Sequence, residues 1–359
     1  MNKQIALMLP AVVAIGATAL TLAGCAGGSG TDGSLTGTTS LNANGAVRQS
    51  SRQPSVLLGG SIQSRPDRRA SWMSPDAAKQ TLLYVSDIGT SSVEVLAYPS
   101  GTLVGTLTGF GYPQGECVDS SGNIYIADGS NSVIDEYAHG GTSPIATLAD
   151  AGAFPASCAV DPTTGNLAVA NLLTTQNFEA GNVAIYTKGG GTPAIYADSS
   201  ITREYFLDYD LSGNIFVAGV SGETGYFRYA EVSPNGTFTD IAVKGAKIGF
   251  AGGVQRDGSN MVVVDQQGSV LGKPDMYRIA PSGKVVGHTI LLNASGGRLI
   301  DPVQFAFAPS KGRPSQIVTA DALGATVYVN AFPQGAFATS YGTGLVQPLG
   351  IAISKPSGG

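Results

Sequence analysis

From residue 82 onward the hydrophobic and polar positions follow one repeating pattern. Short apolar runs alternate with turns rich in Gly, Asn, Asp and Pro. The most legible run ends in Asp or a small residue. It recurs as Leu82–Asp87 (LLYVSD), Asn123–Asp128 (NIYIAD), Asn166–Asn171 (NLAVAN), Asn214–Gly219 (NIFVAG), Met261–Asp265 (MVVVD) and Gln316–Asp321 (QIVTAD). These six copies lie about 41 to 56 residues apart. A period in that range belongs to a solenoid or a propeller.

Most copies follow another apolar run and a tight turn. GECVD-SSG precedes Asn123, CAVD-PTTG precedes Asn166, and FLDYD-LSG precedes Asn214. Asp followed by Gly and Asn is hairpin chemistry, because Asp closes an Asx turn and Gly or Asn tolerates positive φ. Two further alternating strands follow each copy. In the first unit these are VEVLAY and TLVGTL, joined by Pro99-Ser100-Gly101. Each unit is therefore four antiparallel strands, the size of a propeller blade.

The two ends of the repeat fit together. LLYVSD has no inner strand ahead of it. The segment QPLGIAIS at 347–354 matches YPQGECVD at 112–119, yet no second strand follows it. The pattern thus predicts an all-β, six-bladed propeller closed by the C-terminal strand joining the first blade, which removes exposed sheet edges. Tyr98, Tyr137, Tyr186, Tyr229 (or Tyr226), Tyr277 and Tyr328 recur near one position. Recurrence in every unit is what packing between blades demands.

Composition agrees with short strands and tight turns. Charged residues are 13% and Gly is 50 of 359 residues. The net charge is −5, and no basic stripe crosses the repeat, which argues against nucleic acid as a partner.

The N-terminal part differs. Residues 1–24 are almost wholly apolar after Lys3 and end in Leu22-Ala23-Gly24, directly before Cys25. This resembles the bacterial lipoprotein signal, in which the peptide is cut before a Cys that carries a diacylglycerol. The resemblance implies a lipid on Cys25 as the link to a membrane. It implies the outer membrane if the host has one, from Ala26, and otherwise the cell surface. Residues 25–78 are rich in Gly, Ser, Thr, Asn and Gln and read as a solvated, flexible tether. The propeller is expected over 79–355, with a tail at 356–359.

The pattern apolar-Asp-x-x-Gly-Asn-apolar-Tyr-apolar-Ala-Asp is similar to the NHL-repeat propellers over about residues 80–355, most clearly at 113–137 and 155–171. That family holds binding modules and some enzymes, so the resemblance implies a fold more than an activity.

Two cysteines remain in the repeat. Cys117 lies four residues after Pro113 and Cys158 three after Pro155. An odd offset puts the side chains on opposite faces of equivalent strands, so they face each other where neighbouring blades stack. Two readings stand: a disulfide, or two buried thiols.

Candidate chemistry is sparse. His139 and His288 both fall on outer strands and read as surface residues. There is no zinc spacing, nucleophile elbow or P-loop, and no cofactor is expected. The acids Asp87, Asp128, Asp265 and Asp321, with Asn171, sit at equivalent strand ends and read as turn caps. Acids that break the repeat are better candidates. Glu116 stands where Ser157 would match it, Asp208 precedes the repeat Asp210, and Arg256 adjoins Asp257. These inner-strand charges are candidate channel or ligand-binding residues.

Gluconolactonase-type propellers hold a metal partly through an Asn just after the proline that opens an inner strand. Here Gln114, Ala156 and Leu349 take those places, which argues against that metal site. The expected function is a membrane-anchored, extracytoplasmic binding or scaffold module for a protein, peptide or glycan. The alternative is a lactonase-like hydrolase or lyase acting at the channel mouth.

Overall fold

The computed structural model describes residues 70–174, 180–221 and 224–356. The leader, Cys25 and the tether up to residue 69 lie outside the described residues. The rest forms six antiparallel sheets in a ring, a β-propeller. Blade 1 holds Leu82–Asp87, Ser92–Ala97 and Thr102–Leu107. Blade 2 runs from inner strand Pro113–Val118 to outer strand Pro144–Ala149, and blade 3 from Ala153–Val160 to Ala194–Tyr196. Blade 4 runs from Arg203–Tyr209 to Phe238–Asp240, blade 5 from Ala251–Asp257 to Val285–Thr289, and blade 6 from Pro302–Phe307 to Phe337–Tyr341.

The strand Pro348–Ser354 completes blade 1 from the far end of the chain. Leu82 opposes Ser354, and Asp87 opposes Pro348. Trp72–Met73, placed in the tether by composition, adds a short fifth strand by pairing with Thr106 and Gly105. Seam 1/2 is held by His139 as well. Its Nδ1 lies 2.7 Å from Ser354 Oγ, and its Nε2 lies 3.0 Å from Gln80 O. His139 is half-buried at this closure, and burial lowers its pKa. His288 is exposed.

The core lies in the seams between blades. Strands alternate faces, so each middle strand packs one set of aliphatics on the blade before and another on the blade after. Leu167 and Val169 meet Tyr125 and Ile134 across seam 2/3, while Ala168 and Ala170 meet Leu207 and Val217 across seam 3/4. Tyr137, Tyr186, Tyr229 and Tyr277 are buried, whereas Tyr226 is exposed. The recurrence expected from sequence is not one position, however: Tyr137 and Tyr186 oppose Ile124 and Leu167 at the start of the middle strand, whereas Tyr229 opposes Ala218 near its end, and Val232 takes the matching place in blade 4.

The strand-end acids define one face of the ring, called here the crossover face. Asp128 accepts N–H bonds from Gly111 and Tyr112, both 2.8 Å, and one from Asn131 Nδ2. Asp87 binds Val346 N and Gln347 N, Asp265 binds Gly249 N and Phe250 N, and Asp321 binds Ile300 N and Asp301 N. Each acid thus clamps the segment that crosses from the preceding blade, in addition to capping its own turn. Blade 3 reverses the chemistry. Its strand end carries the amide of Asn171, and the crossover brings the acid Asp150 to meet it. In blade 4 the position is Gly219, where a Cβ would collide with Ile201 and the Arg203 carbonyl.

Candidate functional site

The candidate residues belong to the inner strands around the axis. At the crossover end the axis is filled. Ala156, Tyr205, Ala251, Val303 and Leu349 are all buried there in one apolar cluster with Ile88, Leu172 and Ala322. Gln114 is buried as well. Two of the three positions compared with a metal-binding Asn, Ala156 and Leu349, are part of this plug, and neither can donate a ligand from its side chain.

At the opposite end, the hairpin face, the axis opens into a cavity of about 220 Å³ reached by all six inner strands. Its wall includes Glu116, Cys117, Cys158, Asp208, Gln255 and Gln304, whereas Arg256 is not part of it. Here side chains tie neighbouring inner strands together, where no backbone ladder joins one blade to the next.

Asp208 reaches forward from blade 4. Its Oδ2 accepts the N–H of Arg256 at 2.7 Å, and Oδ1 accepts its own neighbour Tyr209 N at 2.8 Å. Burial raises its pKa to about 6, against those two N–H bonds and the Arg256 charge. Gln255 does the same from blade 5, accepting Phe307 N at 3.2 Å. Cys117 does it covalently from blade 2: Cys117 and Cys158 form a disulfide with Cα atoms 5.6 Å apart. Ala159, which follows Cys158 and pairs with Ala168 as Cys117 pairs with Tyr125, carries no such bridge.

Gln304 closes the remaining gap. Its Oε1 accepts both Glu116 N (3.1 Å) and Ile351 N (3.0 Å), and its Nε2 donates to Glu116 O (2.9 Å). One amide from blade 6 thus satisfies backbone groups of blades 1 and 2.

Glu116 does not occupy the place of Ser157. It opposes Ile126, as Cys158 opposes Val169, so its equivalent is Cys158 and not Ser157. A one-residue shift changes the face. The Glu116 side chain enters seam 1/2, where Oε1 accepts Ser86 Oγ at 2.6 Å and Oε2 has no partner. It is 2% exposed. Burial pushes its pKa up to about 8, opposed by the bonds from Ser86 and the Ala352 backbone. Asp208 meets the backbone N–H of Arg256; Glu116 borders the same cavity as Asp208, but its carboxyl is held by Ser86 in seam 1/2.

Three residues that sequence reasoning passed over are as notable. Gln304 and Gln255 are polar interruptions in apolar inner strands, the signal that singled out Asp208. Glu204 is an inner-strand acid with 0% exposure and no hydrogen bond to either carboxylate oxygen. It lies against Gly181 in seam 3/4, where burial pushes its pKa well up. The described residues contain no cluster of three or more His, Cys, Asp or Glu able to hold a metal.

These features define the chain as a six-bladed β-propeller whose axis is a tied hub. No known protein family matches its sequence, and no curated protein matches it. Solved structures do match its fold. One is a chain in a nidogen/laminin complex, at 15% identity and TM-score 0.58, covering 77% of this chain and 99% of that one. Another is a protein of unknown function from Bacteroides caccae, at 12% identity and TM-score 0.57, with the same coverages.

Proposed function

We propose that this protein is a membrane-tethered binding module that holds a protein partner on the crossover face of its propeller. The observation that carries the reading is an arc of exposed aliphatic side chains. Val270, Leu271, Ile300, Leu323 and Val346 are each 44–60% exposed. They come from successive loops of blades 5, 6 and 1 that are bonded to one another. Ser269 Oγ donates to Ile300 O, and the Asp321 carboxylate accepts both Ile300 N and Gly324 N. Asp87 then binds Val346 N. Scattered exposed aliphatics are ordinary, whereas a contiguous set marks an interaction surface.

Charge supports the same reading. Asp87, Asp265, Asp275, Asp301 and Asp321 are all buried beside the arc, so no carboxylate opposes apolar contact there. The solved likeness within a protein–protein complex points the same way. The lipoprotein-like Cys25 supports an envelope location, with the long arm letting the propeller search around its anchor. Glu116, Asp208 and Arg256 are engaged in holding the hub, which favours binding over catalysis at the axis.

A photo-crosslinking residue at position 323 of the full, membrane-borne chain tests this. The expected result is a discrete adduct that disappears with Leu271→Asp and persists with Leu211→Asp on the other face. An adduct indifferent to Leu271→Asp, or none at all, refutes the partner surface. A Cys25→Ser chain that still fractionates with membranes refutes the anchor.

A further inference from the structure

We infer that a cleft on the hairpin face, between blades 3 and 4, binds an uncharged sugar ring. The cleft holds about 320 Å³, at the lower end of the range for small-ligand sites. Asp161 and Asn166 line it from blade 3, Tyr196 from the outer strand of that blade, and Tyr209, Leu211 and Pro234 from blade 4.

Two departures from the repeat leave polar groups unmatched at it. The first is Asn166. In blades 2 and 4 the matching Asn amide is consumed by its own turn: Asn123 Nδ2 donates to Asp119 at 3.1 Å, and Asn214 Nδ2 donates to Asp210 at 2.9 Å. In blade 3 the Thr164 hydroxyl takes the Asp161 oxygen instead. Asn166 turns its oxygen to Lys188 N at 3.0 Å, and its Nδ2 has no partner among the described residues. The second is Tyr209. The positions before the turn in other blades include Val118, Val160 and Ile353, whereas Tyr209 places a phenol in the cleft. It is 3% exposed, and its hydroxyl has no partner. A buried hydroxyl left unmatched costs about 1–3 kcal/mol, which a ligand group at that atom recovers.

The remaining surface selects the ligand class. Tyr196 lies over Gly236, where any Cβ would collide with its ring. Leu211 stands 66% exposed at the opposite side. Aromatic and aliphatic walls suit the C–H face of a sugar, while Asn166, Tyr209 and Asp161 suit its hydroxyl edge. Asp161 is the only charged side chain in the lining, so an anionic ligand would meet repulsion and no counter-charge.

This site is separate from the crossover face, and its test does not depend on a protein partner. The full-length protein is applied to an array of neutral oligosaccharides ending in glucose, galactose, mannose or N-acetylglucosamine, with sialylated sugars as the anionic set. The expected result is binding within the neutral set, weakened at least tenfold by Asn166→Ala and by Tyr196→Ala. Tyr209→Phe removes only the unmatched hydroxyl and should also weaken binding while leaving the unfolding midpoint of the free protein no lower than that of the wild type. No binding within the neutral set overturns the proposal, as does neutral binding that all three variants retain.

Discussion

The Glu116 carboxyl offers the sharpest test of how the hub is built. It is 2% exposed, one oxygen is held by Ser86, and the other has no partner. Burial raises its pKa from 4.5 to about 8. The folded protein therefore retains a proton here, between about pH 4.5 and 8, that the unfolded chain releases. By linkage, the associated stability is fully present below the unfolded pKa and is lost as pH rises through the folded one. The rise from 4.5 to about 8 corresponds to about 5 kcal/mol of stability lost across that window. That is a large fraction of the about 5–15 kcal/mol available to a domain.

Glu116→Gln isolates this contribution. The amide stays neutral at every pH and keeps an oxygen for Ser86. It leaves one polar group without a partner, as the protonated acid does. At pH 5 the variant should match the wild type within about 1 kcal/mol. At pH 9 it should be the more stable by several kcal/mol, because only the wild type must bury a charge. Urea unfolding at pH 5, 7 and 9, with the disulfide intact, reads both. Parallel pH dependences for the two proteins would refute the reasoning, as would a variant less stable at pH 9.

Two further perturbations address the other ties. Replacing Cys117 and Cys158 together by Ser opens a 41-residue loop, worth about 4 kcal/mol by chain entropy. Reductant should lower the wild-type urea midpoint to that of the double variant and leave the variant unmoved. Gln304→Leu removes three hydrogen bonds and strands buried backbone groups of Glu116 and Ile351. A loss of about 2–4 kcal/mol is expected in the same assay, with faster amide exchange at Glu116 and Ile351.

Much of the fold was legible because its signals are local and repeated. Apolar strands recur in every blade and Asp-Gly-Asn turns in blades 2, 3 and 4, so one misread copy is corrected by the others. Closure followed from an unmatched strand at each end. The hub was less legible because its contacts are long-range. Gln304 meets Glu116 across 188 residues, and no periodicity links them. Glu116 was displaced by one residue against its neighbours, and with a side-chain period of two such a slip directs its carboxyl to Ser86 in a seam, although the residue still borders the axial cavity. The apolar arc was hidden for a related reason. Its members are one or two aliphatics in each of four separate loops, and only ring closure places Val346 beside blade 1.

The departures from symmetry also point to a division of labour around the ring. Seam 2/3 has the disulfide, seam 4/5 has Asp208, seam 5/6 has Gln255, and Gln304 serves 6/1 and 1/2. Among the described residues, seam 3/4 has no such axial tie, since Ala159 cannot reach across. It instead contains the unpartnered Glu204, the unpartnered Tyr209 hydroxyl and the cleft beside Asn166. A ligand bonded to Asn166 on blade 3 and Tyr209 on blade 4 would supply the missing tie from outside. Saturating ligand should therefore slow amide exchange across seam 3/4 more than across seam 4/5, which Asp208 already holds. Equal protection of both seams would mean that the ligand stabilises the ring only by mass action on global unfolding.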